Sequence, residues 1–245
     1  NVLYITLEMA EERIAERIDA NLLDVTIDDL YEMPKEIYDN KTSKMQNKTN
    51  GQLIIKEYPT ASAHAGHFKS LLDELALKKA FKPDLIFIDY LNICTSSRFK
   101  GGNINSYTMV KSIAEELRGL AVQYNVPIVS ATQTTRTGYL SSDVGLEDTS
   151  ESFGLPATAD FMFALISNDE LEELGQIKVK QLKNRYNDPA VNRAFIIGVD
   201  RSKMRLYDVE QSAQSDLVDS GQESFTDKDI DNKFNKLGKF SDFKI

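Results

Sequence analysis

Leu85-Ile86-Phe87-Ile88-Asp89 is the stretch on which the fold turns. Four bulky apolar residues follow one another without alternation and end in a carboxylate. A run of this kind predicts a strand buried on both faces, as in a parallel sheet. Open α/β sheets bind ligands just outside the carboxyl ends of their strands, so Asp89 stands where a ligand group is expected.

Working outward, the same signals repeat. VLYIT at 2–6 reads as a strand, and a helical pattern from about Ala10 to Leu23 follows, with Ile14, Ile18 and Leu22 on one face. Residues 24–50 are polar and irregular, with a short helix expected near Asp28 to Glu32 and a turn at Asn50-Gly51. A strand is expected at Leu53–Tyr58 and a helix from about His64 to Phe81, ended by Pro83. Beyond the strand at 85–91, Gly101-Gly102 marks a loop. A long helix is expected from Ser106 to Tyr124 and another apolar strand from Val126 to Ala131. A polar stretch at 134–152 precedes strands at Phe161–Ile166, Ile177–Leu182 and Ala194–Val199. These three have no helices expected between them and are read as a partly antiparallel end to the sheet. Alternating strands and helices define an α/β fold with a mostly parallel central sheet flanked by helices.

The composition is that of a globular protein, 41% hydrophobic and 27% charged, and no apolar run approaches membrane-spanning length. The single cysteine, Cys94, excludes an internal disulfide and fits a reducing cytoplasm. The net charge of −9 argues against a surface coated for nucleic acid, but not against a channel lined by a few cations. The tail after Asp208 is acidic and polar, and Ile230, Phe234 and Leu237 form one stripe of a short amphipathic helix expected at 226–238. Two regions are therefore expected, 1–208 and 209–245. Asn1, already inside a strand pattern and not a methionine, is read as a cut end with sequence upstream.

Five places carry residue types suited to chemistry. Glu8, after the first strand, suits a general base for an attacking water, and equally a helix N-terminal carboxylate. Asp89 suits a Mg²⁺ or phosphate site, as the aspartate at such a strand end does in phosphate-loop nucleotidases. Gln133, after PIVSA, suits a γ-phosphate sensor or a turn residue. Lys183 and Arg185, one residue apart on an extended strand, point the same way and suit either a polyphosphate of a neighbouring subunit or a solvated basic edge. Arg98, Phe99 and Lys100 before the two glycines suit single-stranded nucleic acid or a plain surface loop. His64 and His67 lack the further ligands a zinc site needs. No GxxxxGK[ST] loop occurs in the chain.

In order, VLYITLEMA, PDLIFIDYLNI, PIVSATQTTR, DTSESFGLPATADFM and VKQLKNRYNDP resemble the ATPase domain of DnaB-family replicative helicases, nearest to those of T-even-type phages. The resemblance covers Asn1 to about Tyr207. It implies a RecA-like core of the P-loop NTPase type with an antiparallel C-terminal extension, and ATP and Mg²⁺ as cofactors. It assigns Glu8 to activating the hydrolytic water, Asp89 to the Mg²⁺ side of the phosphates, Gln133 to linking the γ-phosphate with DNA-facing loops, and Lys183 and Arg185 to the next subunit's ATP. Arg136, beside Gln133, joins the nucleotide side.

The resemblance also implies a homo-hexameric ring around single-stranded DNA, working beside a primase and a helicase loader, in the host cytoplasm if phage-encoded. Arg98 and Lys100 in one loop, and Ser150, Glu151, Ser152 and Gly154 in another, are the expected DNA contacts. The second loop lacks the arginine that many relatives carry. Without a phosphate loop, this stretch by itself is expected to bind ATP poorly. A RecA-like recombinase and a non-catalytic assembly module of the same fold are the alternatives.

Overall fold

The run at 85–89 does form a strand, and it lies inside a parallel sheet. The computed structural model describes residues 1–99, 104–135, 144–148, 154–188, 191, 193–210 and 214. Asn1–Asp208 forms one unit and Val209–Ile245 is a second. The tail helix expected at 226–238 lies outside the described residues.

In chain order the first unit contains β1 (Val2–Thr6), α1 (Glu11–Leu23), α2 (Ile27–Glu32), α3 (Lys35–Gln46), β2 (Leu53–Glu57), α4 (Ala65–Lys79) and β3 (Leu85–Asp89). Then come α5 (Ser106–Tyr124), β4 (Ile128–Ser130), α6 (Gly154–Thr158), β5 (Phe161–Ile166), α7 (Asp169–Glu173), β6 (Gln176–Asn184), β7 (Ala194–Asp200) and β8 (Arg205–Asp208). Short 3₁₀ turns occur at Leu91–Ile93 and Leu146–Asp148.

The first sheet has the order β2-β1-β3-β4, all parallel. The chain leaves β1 towards β2 on one side and leaves β3 towards β4 on the other, so the strand order reverses between β1 and β3. Thr6 pairs with Asp89 in register there. Such a switch point opens a crevice at the carboxyl ends of the strands.

The core forms where α4 and α5 cover one face of this sheet. Leu3 and Ile5 of β1 and Ile86 and Ile88 of β3 are buried against Phe68, Leu72 and Leu75 of α4 and Val110, Ile113, Leu117 and Leu120 of α5. The spacing of those helical residues is that of one apolar stripe. Asn105 caps α5 by accepting from Thr108 N at 2.8 Å, and Asn125 ends it in the left-handed region. The histidine pair caps α4. His64 Nδ1 accepts from Gly66 N at 3.0 Å, and His67 Nδ1 accepts from His64 N at 3.2 Å.

Several expectations need correction. β3 is fully buried on one face only, since Leu85, Phe87 and Asp89 are half-buried. The polar stretch at 24–50 holds a second helix, α3, that buries none of its residues and so leaves no hydrophobic period to read. A five-residue helix, α7, does separate β5 from β6, capped by Asn168 accepting from Leu171 N. β8 was not expected, because its four residues are all exposed and show no alternation. β5 to β8 form a second, antiparallel sheet in sequence order.

Candidate functional site

Three of the expected residues meet at the carboxyl ends of adjacent strands. Glu8 follows β1, Asp89 ends β3 and Gln133 follows β4. The backbone fixes each position. Thr6, fully buried, donates through Oγ1 to Met9 O at 2.8 Å and accepts from Met9 N at 3.1 Å, closing a tight turn that holds the exposed Glu8 at its tip. Leu7 N donates to Asp89 O at 2.9 Å and Leu91 N to Ala131 O at 3.1 Å, so the three strand ends are tied side to side. The Asp89–Tyr90 peptide bond is cis.

Two tyrosines that the sequence reading passed over orient this cluster. Tyr4 Oη donates to Asp89 Oδ2 at 2.8 Å, and its ring stacks on Phe87 with centroids 5.9 Å apart. Burial, then the hydrogen bond and charge of Asp89, push the Tyr4 phenol well above its ordinary range, against the opposing charge of Arg17. Gln133 Nε2 donates to Tyr90 Oη at 3.3 Å. The signal was present in the alternation of β1: Tyr4 must lie on the opposite face from the buried Leu3 and Ile5, beside Phe87 in register. Thr132 Oγ1 and Asn92 Oδ1 are buried next to the same strand ends with no partner among the described residues.

Lys183 and Arg185 lie elsewhere, at the end of β6 in the antiparallel sheet. Arg185 pairs with Asp160 Oδ1 at 3.0 Å, donates to Ala157 O at 3.1 Å, and its N–H donates to Asp160 O at 2.9 Å. Lys183 Nζ donates to Pro156 O. Burial, followed by the charge of Arg185, holds the Lys183 amine below the usual lysine range. Arg118 on α5 reaches the same place, donating to Asp160 Oδ1 and to Thr158 O, both at 2.8 Å.

Of the expected DNA contacts, Arg98 is exposed but pairs with Glu115 and approaches Glu116 at 3.9 Å. Glu116 also accepts from Ser96 and from Ser97 N and Oγ, so the start of this loop is fastened to α5. Gly154 is buried, and a Cβ there would stand 2.8 Å from Lys111 Cβ, so this glycine serves the close approach of α6 to α5 and presents no contact surface. Arg136, Lys100, Ser150, Glu151 and Ser152 lie outside the described residues. An open pocket of about 380 Å³ is lined by Arg17, Arg201, Arg205 and Asp200 together with Val199, Met204 and Leu206.

Tyr4 occupies Oδ2 of Asp89, and no described residue bonds Oδ1. Among the described residues no group of three His, Cys, Asp or Glu could hold an ion. A single carboxylate oxygen suits Mg²⁺, which keeps several waters and takes its other ligands from substrate phosphates.

Comparison with known proteins shows the family. The family model for the DnaB-like helicase C terminal domain matches residues 1–202. The chain belongs to the DnaB-like helicase family. It is 48% identical over 216 residues to a DnaB-like replicative helicase of Enterobacteria phage T4, covering 87% of this chain and 46% of that protein. A probable plasmid replicative DNA helicase of Chlamydia trachomatis is 28% identical over 135 residues, covering 54% of this chain and 28% of its own length. The chain thus spans less than half the length of these relatives. The structure of a DnaB-like replicative helicase, described with its interactions with primase, superposes with a TM-score of 0.68 at 16% identity, over 85% of this chain and 50% of that one. At that identity it supports the fold alone, a RecA-like α/β core with an antiparallel sheet. Among the described residues no helix is long and apolar enough to cross a membrane.

Proposed function

We propose that this chain is the motor portion of an ATP-hydrolysing replicative helicase that translocates on single-stranded DNA as a ring and unwinds duplex at the fork. The observation carrying this reading is the convergence of Glu8, Asp89 and Gln133 at the carboxyl ends of three adjacent strands beside a topological switch point. Exposed at the tip of its turn, Glu8 takes the proton of the attacking water. Gln133, held by Tyr90, senses the γ-phosphate. Asp89 would hold Mg²⁺ through one carboxylate oxygen, and the ion would supply neutralisation of the phosphate charge.

Lys183 and Arg185 belong to a different sheet and complete the site of a neighbouring subunit, which makes hydrolysis depend on a homo-hexameric ring. Arg98, Lys100, Ser150, Glu151 and Ser152 are the DNA contacts in this reading, while primase and a loader act on the assembled protein in the cytoplasm. Residues 1–208 form the motor, and 209–245 a separate acidic tail.

The test is Arg185→Ala in an active full-length helicase containing this chain. A trans-acting arginine contributes on the order of 10³-fold or more in rate. DNA-stimulated ATP hydrolysis should be lost while nucleotide still binds. Near-parent turnover would remove the trans role. Duplex unwinding without strand exchange in the parent separates this function from that of a recombinase.

A further inference from the structure

The basic pair does not project freely from β6. It is seated on a small structure that the helicase reading leaves without a role. The last carbonyls of α6 turn towards three cations. Pro156 O accepts from Lys183, Ala157 O from Arg185 at 3.1 Å, and Thr158 O from Arg118 at 2.8 Å. Asp160, between α6 and β5, accepts Arg185 and Arg118 on the same oxygen, Oδ1, at 3.0 Å and 2.8 Å. The backbone closes the knot, since Arg185 N donates to Asp160 O where the β5–β6 ladder ends.

This arrangement holds the guanidinium from behind. A guanidinium carries five N–H donors in a rigid fork. Ala157 O accepts from one terminal nitrogen of Arg185, and Asp160 Oδ1 forms an ion pair with the other at 3.0 Å. The hydrogen bond and the ion pair together restrain the fork, and no described residue bonds its other side-chain donors. Arg118 keeps Asp160 itself in place, because its contacts to Oδ1 and to Thr158 O bridge the carboxylate to the end of α6. Arg118 comes from α5, whose Leu117 and Leu120 are buried in the core, so the support is anchored to the rigid part of the fold.

We propose that Asp160 and Arg118 are positioning residues for the Arg185 guanidinium, fixing the angle at which it meets the phosphates of a neighbouring subunit's nucleotide. The proposal rests on the reading of Arg185 as a trans-acting cation. Neither residue touches nucleotide. Their effect is on orientation, and misplacing a transition-state group by about 1 Å can cost around 100-fold in rate.

The experiment uses the full-length helicase and measures DNA-stimulated ATP hydrolysis for Asp160→Asn, Arg118→Met, Arg118→Lys and Arg185→Ala, with melting temperatures alongside. Asp160→Asn should lower kcat by about 10-fold to 100-fold with the KM for ATP nearly unchanged, because orientation is lost while ground-state binding survives. Arg118→Met should show the same split to a smaller degree. Arg118→Lys keeps a cation on Asp160 and should recover most of the turnover. A folded Asp160→Asn protein with parent kcat, alongside an inactive Arg185→Ala, overturns the positioning role and leaves the trans role of Arg185 standing. If Asp160→Asn does not fold, equal kcat losses in Arg118→Met and Arg118→Lys overturn it instead. Parent turnover in Arg185→Ala would instead overturn the trans role on which the proposal rests.

Discussion

Replacing Tyr4 with phenylalanine tests how the central carboxylate is held. The substitution removes one contact, the donation from Tyr4 Oη to Asp89 Oδ2 at 2.8 Å, and leaves the ring stacked on Phe87. A hydrogen bond to a charged acceptor contributes about 1.5–3 kcal/mol when well shielded. Tyr4 is half-buried, so solvent screening brings the expected loss at neutral pH to about 1 kcal/mol. For a chain of this size that is a fall in melting temperature of about 2–4 °C.

The pH dependence gives a sharper test of the same contact. Burial, with Asp89 behind it, raises the folded-state pKa of Tyr4 above the ordinary tyrosine value of about 10. A raised folded pKa gives stability that is fully present below the unfolded value and lost as pH rises towards the folded one. The parent should therefore lose stability above pH ~10 more steeply than Tyr4→Phe, and the gap between them should narrow. Tyr38, pushed up to about 12 by its hydrogen bond to Asp19 and by burial, and Tyr124, pushed up to about 12 by burial and by its hydrogen bond to Asp73, contribute equally to both proteins and cancel. Urea melts at a series of pH values from neutrality upward measure this. Parallel stability curves above pH ~10 would refute the argument.

Two further outcomes follow from the same geometry. Glu8→Ala, tested in the full-length helicase, should keep nucleotide binding while phosphate release falls by about 100-fold or more, the scale of a lost general base; undiminished release would exclude Glu8 from that role. Cys94 is buried and its thiol is pushed up to about 12 by that burial, so iodoacetamide at mildly alkaline pH should label it only after unfolding in urea. Rapid labelling of the folded protein would contradict the packing described for it.

The parallel sheet was legible because its strands announce themselves. LIFID and VLYIT carry apolar side chains that must be buried, and α4 and α5 carry the stripes that bury them. What escaped was whatever buries little. α3 packs none of its residues away, and β8 is exposed throughout, so neither leaves a hydrophobic period. Site residues followed the same division. Glu8, Asp89 and Gln133 stand out because they follow obvious strands. Tyr4, Tyr90, Arg118 and Asp160 did not, because their importance lies in which atom they hold across 85, 43 or 42 residues of chain separation. Such pairings depend on register and helix docking, which composition and spacing do not encode. Arg98 shows the converse. Its place in a basic, glycine-rich loop suggested a free cation, whereas α5 supplies two carboxylates to receive it.

The two halves of the proposed machinery share one construction, although they lie on different sheets. In each, a charged or polar group is held through some of its atoms and leaves others without a partner among the described residues. Tyr4 takes Oδ2 of Asp89 and leaves Oδ1. Tyr90 receives Nε2 of Gln133 and leaves its carbonyl oxygen. Ala157 O takes one N–H of Arg185, Asp160 pairs with its charge, and the rest of the fork is left. Groups held this way need no reorganisation when charge develops in front of them, which is the condition under which fixed dipoles and charges lower a barrier most. A surface ion pair such as Arg185 with Asp160 adds little stability, commonly about 0.2–1 kcal/mol. The pair is therefore better suited to setting orientation than to adding folding energy, and for that reason the kcat-to-KM split in Asp160→Asn is more informative than its melting temperature.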